Sequence, residues 1–246
     1  MSEFRYYRQN NFPPVVKNLI IINVLVYIGQ LTLGKTYQLT ERFMLYPIMP
    51  GELRKLLVEK NYLNDYEKFQ PYQIFTHMFS HSPTMFAHIL FNMFALWMFG
   101  RILENVWGPK RFLLFYLVCG VGAAALHLTM QYIRCDQLWQ DIVAGNIPSQ
   151  QRIFGAIAPA LGASGAIMGL FAAFAYLFPN TELIFLFIPF PIKAKWMVLI
   201  MVGLDLFGGF SNTGGDNVAH FAHLGGAITG FIIVFIWNKT NRRTLY

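Results

Sequence analysis

Hydrophobic residues along this chain gather into six long runs, separated by polar connectors that carry Pro and Gly. A hydrocarbon core of about 30 Å needs roughly 20 helical residues at about 1.5 Å each, and the runs have that length. They predict membrane-crossing helices near Val15–Leu33, Met85–Ile102, Phe112–Ile133, Ala156–Phe178, Trp196–Phe210 and Val218–Trp237. The fifth is the shortest and carries Asp205, expected to face water near its outer end. Residues 1–14 form a short N-terminal segment, 15–238 the six-helix domain with an outer first loop over 34–84, and 239–246 a tail. In the first loop, Gly51–Glu59 (GELRKLLVE) reads equally as an amphipathic helix lying on the membrane and as a helix packed on the bundle. Arg134–Arg152 is expected to be a polar connector, and Leu183–Pro191, too short and Pro-rich to span, to dip into the inner interface.

Composition supports lipid as the solvent. Hydrophobic residues make up 55% and charged ones 13%, about half the roughly 25% charge of a soluble domain. A disordered, collagen-like or disulfide-stapled chain is excluded by the apolar content, the absence of a Gly repeat and the presence of only two Cys, between which no bridge is expected. No cleavable signal peptide is expected ahead of the first run. The net charge of +7 is unevenly placed: eleven Lys/Arg and three Asp/Glu lie on the side of the termini, eight and nine on the other. The positive-inside rule then puts both termini in the cytoplasm. Without a soluble basic face, nucleic acid is not an expected partner. The fold class expected is an all-α polytopic membrane protein, a bundle of six transmembrane helices.

Polar side chains at membrane depth mark function by default. His88 and Asn92 share one face of the second helix, Gly162-Ala163-Ser164-Gly165 opens the fourth, and His220 and His223 lie on the sixth, ahead of Gly226 and Gly230. Counted from the cytoplasmic ends, Ser164, His223 and His88 stand in one layer, roughly 20 Å above the inner boundary. A Ser hydroxyl needs a base to become a nucleophile, and neutral His suits that task. The N–H groups of Ser164 and Gly165 begin a helix and lack intrahelical acceptors, so with His88 and Asn92 they offer donors to a developing oxyanion. No carboxylate close in sequence suggests a third member, so a Ser/His dyad is the economical reading. Gly165 with Gly169, and Gly226 with Gly230, are small-xxx-small pairs that would let the fourth and sixth helices approach.

These residues resemble a family. Gly162–Gly165 looks like the GxSG motif of rhomboid intramembrane serine proteases, His223, Gly226 and Gly230 like their HxxGxxxG, and His88 to Asn92 like their HxxxN. Glu104, and Pro191 to Lys195 before the fifth helix, are similar to bacterial members, which implies a bacterial cytoplasmic membrane as the location. The resemblance implies six helices around a water-filled cavity, open to the outer face. It implies cleavage of single-pass or multi-pass membrane proteins in the bilayer, without cofactor or metal. Ser164 would be the nucleophile, His223 the base, and His88, Asn92 and the Ser164 N–H the oxyanion hole. Gly162, Gly165, Gly169, Gly226 and Gly230 would serve helix packing, and the fifth helix with the loop after it would gate substrate. Two departures stand out: Tyr72-Gln73 replaces a frequent Trp-Arg, which bears on loop stability, and Ser82-Pro83-Thr84 lengthens the approach to the second helix.

Other readings are weaker. A lone GxSG is ordinarily packing, and it becomes chemistry only beside His223 and the His88/Asn92 pair. His220 competes as base or lines the cavity mouth, while His127 reads as a buried hydrogen-bonding residue. His77 and His81 lack a third ligand or an HExxH, so they read as loop packing rather than metal ligands. A catalytically silent rhomboid-like protein that binds membrane clients is the alternative function, and a transporter is disfavoured by the absence of duplicated halves.

Overall fold

The computed structural model describes residues 10–185, 188–210 and 220–240. Outside them lie most of the expected N-terminal segment, most of the tail, the loop after the fifth run, the start of the sixth at Val218, and residues 186–187 within Leu183–Pro191. The described chain runs α1 (Pro14–Tyr37), α2 (Leu39–Phe43), α3 (Gly51–Glu59), α4 (Gln73–Thr76), a 3₁₀ turn (His77–Phe79), α5 (Phe86–Trp107), α6 (Pro109–Val143), α7 (Gln150–Ile157), α8 (Ser164–Leu177), an antiparallel hairpin β1 (Glu182–Phe185) and β2 (Ile188–Lys193), α9 (Ala194–Phe210) and α10 (His220–Thr240). Among the described residues four helices are long and apolar enough to cross a membrane: Pro14–Gly34, Phe86–Trp107, Pro109–Val143 and His220–Thr240. The shorter α8 is wrapped on all sides, with every residue from Gly165 to Ala175 buried. Leu, Ile and Phe of α1, α5, α9 and α10 instead cover the outside, as lipid-facing surface requires.

Three expectations change. The fourth run does not begin at Ala156: that residue and Ile157 end α7, and α8 starts at Ser164. Pro159 lacks an N–H and Ala160 pairs with Leu45 through two backbone bonds of 2.8 and 3.0 Å, so the helix cannot run through. The third run does not stop at Ile133 but continues to Val143, which turns half of the expected connector into helix. Its extension buries Cys135 and Leu138 in a second small core with Leu53 and Leu57 of α3 and Ile153, Ala156 and Ile157 of α7. The apolar face of α3 is therefore taken by the bundle, which decides between the two readings of that helix. Third, the chain is not helical throughout: residues 183–185 and 188–191 lie in a hairpin in which Glu182 pairs with Lys193.

The first loop is held from within. Gln73, one of the two departures, is buried; its Oε1 accepts from Gln70 N–H at 3.0 Å and Tyr46 N–H at 3.4 Å, and its Nε2 donates to the Arg42 and Lys68 carbonyls, both at 3.3 Å. At the far end of α5, the buried Glu104 carboxylate accepts the N–H groups of Val15 (3.0 Å) and Val16 (2.8 Å), satisfying the first turn of α1 and answering its dipole.

Candidate active site

Ser164 is the first residue of α8, and the turn before it fixes its direction. Gly162 has φ +119°, a conformation a side chain would strain, and its N–H donates to the His77 carbonyl at 2.9 Å. A Cβ there would also lie 2.8 Å from His88 Nε2, so this glycine serves the turn and the imidazole seated on it rather than a helix contact. Being first in their helix, Ser164 and Gly165 keep N–H groups with no intrahelical acceptor.

His223 reaches Ser164 because α8 and α10 touch backbone to backbone. A Cβ on Gly226 would stand 1.8 Å from the Gly165 carbonyl oxygen, and one on Gly230 would stand 2.6 Å from Gly169 Cα. Both small-xxx-small pairs thus meet each other across one seam. With the axes this close, His223 Nε2 and Ser164 Oγ lie 2.8 Å apart, a direct hydrogen bond between residues on separate helices. The pair is part-buried, neither sealed nor open.

His88 stands beside them on α5. Its Nδ1 accepts the Ser82 N–H at 3.2 Å, which puts the ring proton of the neutral imidazole on Nε2, the nitrogen facing Gly162. Asn92, one turn on, donates one amide N–H to the His88 carbonyl at 2.7 Å and keeps the second. The structure therefore brings Ser164, His223 and His88 into one site, while the bond it gives Asn92 is within its own helix.

Asp205 is not turned to water. It is buried on α9, and its Oδ1 accepts from His223 Nδ1 at 3.0 Å and from His220 Nδ1 at 2.8 Å. The reading of it as a solvated residue is overturned, and His220 binds this carboxylate. Hydropathy hides Asp205, but counting from the outer ends of the fifth and sixth runs finds it: it precedes Phe210 by five residues, and His223 follows Val218 by five. One turn beyond, Arg134 of α6 donates to the Gly209 carbonyl at 2.5 Å and lies over the Phe221 ring, which ties the end of α9 to α6 and α10.

The family model for the rhomboid domain matches residues 68–240, well over half of the chain and all of the site just described. The chain belongs to the rhomboid family. Among the relatives, it is 28% identical over 218 residues to Rhomboid protein 1, mitochondrial, of Saccharomyces cerevisiae, covering 89% of this chain and 51% of the relative. It is 27% identical over 173 residues to RHOMBOID-like protein 12, mitochondrial, of Arabidopsis thaliana, covering 69% and 47%. It is 32% identical over 162 residues to Rhomboid protease AarA of Providencia stuartii, covering 60% and 50%. This rhomboid thus spans about half the length of these curated relatives. It is an integral membrane protein, and relatives of mitochondrial as well as bacterial origin give no support to the bacterial cytoplasmic membrane expected from the motifs. Among the described residues no group of three or more His, Cys, Asp or Glu could hold a metal ion.

Proposed function

We propose that this rhomboid is a serine endopeptidase that cuts membrane proteins within the bilayer through an acyl-enzyme. The observation that carries the reading is the 2.8 Å contact between Ser164 Oγ and His223 Nε2, made by two helices whose glycines let them meet. His223 takes the hydroxyl proton as Ser164 Oγ bonds to the scissile carbonyl carbon. The negative charge passes to the carbonyl oxygen, which the Ser164 N–H, His88 Nε2–H and the remaining Asn92 N–H are assigned to hold. His223 then returns its proton to the departing amine. A water, deprotonated by the same ring, attacks the acyl carbon; the ester bond to Ser164 Oγ breaks, and the ring returns the proton to that oxygen. On this reading α1, α5, α6, α8, α9 and α10 are the six spans, both termini face the cytoplasm, and α9 borders the route by which a client helix enters. The resemblance supplies that last assignment.

A single-pass client co-reconstituted with the protein should yield two fragments whose masses locate one cut in or beside its span. A fluorophosphonate probe should label the unmodified chain. Ser164→Ala and His223→Ala should each abolish both signals, down to the background expected when a nucleophile or base is removed. Cleavage that persists in both variants would overturn the reading. Capture of intact clients, with no fragments and no labelling, would select the client-binding alternative.

A further inference from the structure

Resting on that reading, we infer that Asp205 is a positioning residue for His223, so that the site works as a Ser164–His223–Asp205 triad rather than as a dyad. A carboxylate can only accept, so the two imidazole nitrogens that meet Oδ1, at 3.0 Å from His223 and 2.8 Å from His220, must both carry hydrogen. For His223 this leaves Nε2 with its lone pair, and Nε2 is the atom 2.8 Å from Ser164 Oγ. The tautomer needed to accept the serine proton is therefore set by Asp205 of α9. The same bond orients the ring and faces the imidazolium with a negative charge while it holds the proton. Around the carboxylate stand His220 and His223 of α10, with His88 of α5 against Gly162 and Arg134 of α6 at the Gly209 carbonyl. His220 meets the same oxygen, Oδ1, and so gives Asp205 a second donor. A carboxylate in an apolar helix is costly in lipid, and this arrangement gives it two donors.

The test uses the full chain in proteoliposomes with a single-pass client. Asp205→Asn keeps the size but can present an N–H to His223 Nδ1, which drives the ring to the opposite tautomer. It should lower kcat by roughly 10²- to 10⁴-fold while KM stays within about threefold. Fluorophosphonate labelling should slow in parallel, because the probe needs the same activated hydroxyl. Asp205→Glu, which restores an acceptor, should recover part of the loss, and Ser164→Ala combined with Asp205→Asn should still bind the client. A kcat within threefold of the unmodified chain in Asp205→Asn, with Ser164→Ala inactive, would leave the serine protease standing and remove Asp205 from it. Equal loss in Asn and Glu variants together with lost client binding would assign Asp205 to the fold alone and overturn the inference. An unmodified chain that neither cleaves nor labels would remove the protease reading and this inference with it.

Discussion

Two carboxylates are buried among the described residues of this molecule, Glu104 at 2% and Asp205 at 7% exposure, and they are held in different ways. Glu104 is gripped by the backbone N–H groups of Val15 and Val16, donors that never change their protonation and that would otherwise be left over at the start of α1. Asp205 is gripped by two imidazoles, one of which bonds the serine hydroxyl. A buried acid satisfied by backbone can only hold a helix in place. One satisfied by titratable rings can also decide where a proton sits. Burial alone does not separate structure from chemistry; the partners do.

The largest effect expected from this contrast is a crossed outcome. The Asp205→Asn variant described above should lose turnover. Glu104→Gln should do the reverse: one amide N–H would face a backbone N–H, and the interaction with the α1 dipole would weaken, which costs about 2 kcal/mol of stability. Its kcat should stay within about threefold, because no bond of Glu104 reaches the site. Melting curves in detergent, read beside cleavage rates for both variants, check this. A Glu104→Gln chain with normal melting and lost turnover would end the distinction between the two acids.

The contrast also assumes that Ser164 and His223 are held by something other than Asp205. That holder is the glycine seam, and Gly226→Ala attacks it directly. The new Cβ would meet the Gly165 carbonyl oxygen at 1.8 Å, backbone against backbone, so α8 and α10 must separate. Overpacking of this kind costs about 1–3 kcal/mol. A displacement of about 1 Å between nucleophile and base is worth roughly 10²-fold in rate. Both losses should therefore appear together in this one variant, unlike either acid substitution. Cleavage at the unmodified rate in Gly226→Ala would show that the seam does not set the Ser164–His223 distance.

Much of the site was legible because continuous helices keep count. Thirteen residues from Leu177 to Ser164 and fourteen from Trp237 to His223 survive folding as depth, and the glycine spacing announced a close seam. What escaped reading did so where hydropathy is a poor guide. The apolar run reaches back to Ala156, which hydropathy alone joins to α8, whereas Pro159 and Gly162 mark the turn from which Ser164 begins its helix. The end of α6 is polar and resembled a connector, yet Cys135 and Leu138 lie three apart on one face and complete the small core with α3 and α7. A lone acid near the end of a run ordinarily belongs to water, which is the expectation Asp205 breaks. Its partners came from the next helix, and an antiparallel neighbour is visible only when positions are counted from the shared end.

The smallest effect concerns acid, and it bears on how any pH profile of the two acid variants is interpreted. His77 and His81 are sealed in the first loop, where burial pushes their pKa down to about 4 and, with His88 adding to the effect at His81, to about 3. Their unfolded value is about 6.5, so the unfolded chain takes up protons first as pH falls. Stability is then full above pH 6.5 and is lost progressively toward pH 4, by about 1 kcal/mol for the two rings together between pH 7 and 6. His81 Nε2–H donates to Asn23 Oδ1 at 2.9 Å and its Nδ1 is buried without an acceptor, so a proton added there puts an unanswered charge beneath the turn whose Gly162 N–H the His77 carbonyl holds. Acid would then slow cleavage even if the Asp205 cluster never changed its charge. Melting temperatures of the unmodified, Glu104→Gln and Asp205→Asn chains should fall in parallel between pH 7 and 6, since all three keep both loop histidines. If the Asp205→Asn chain alone ceased to respond to acid, the sensitivity would belong to the carboxylate on α9 and not to the loop.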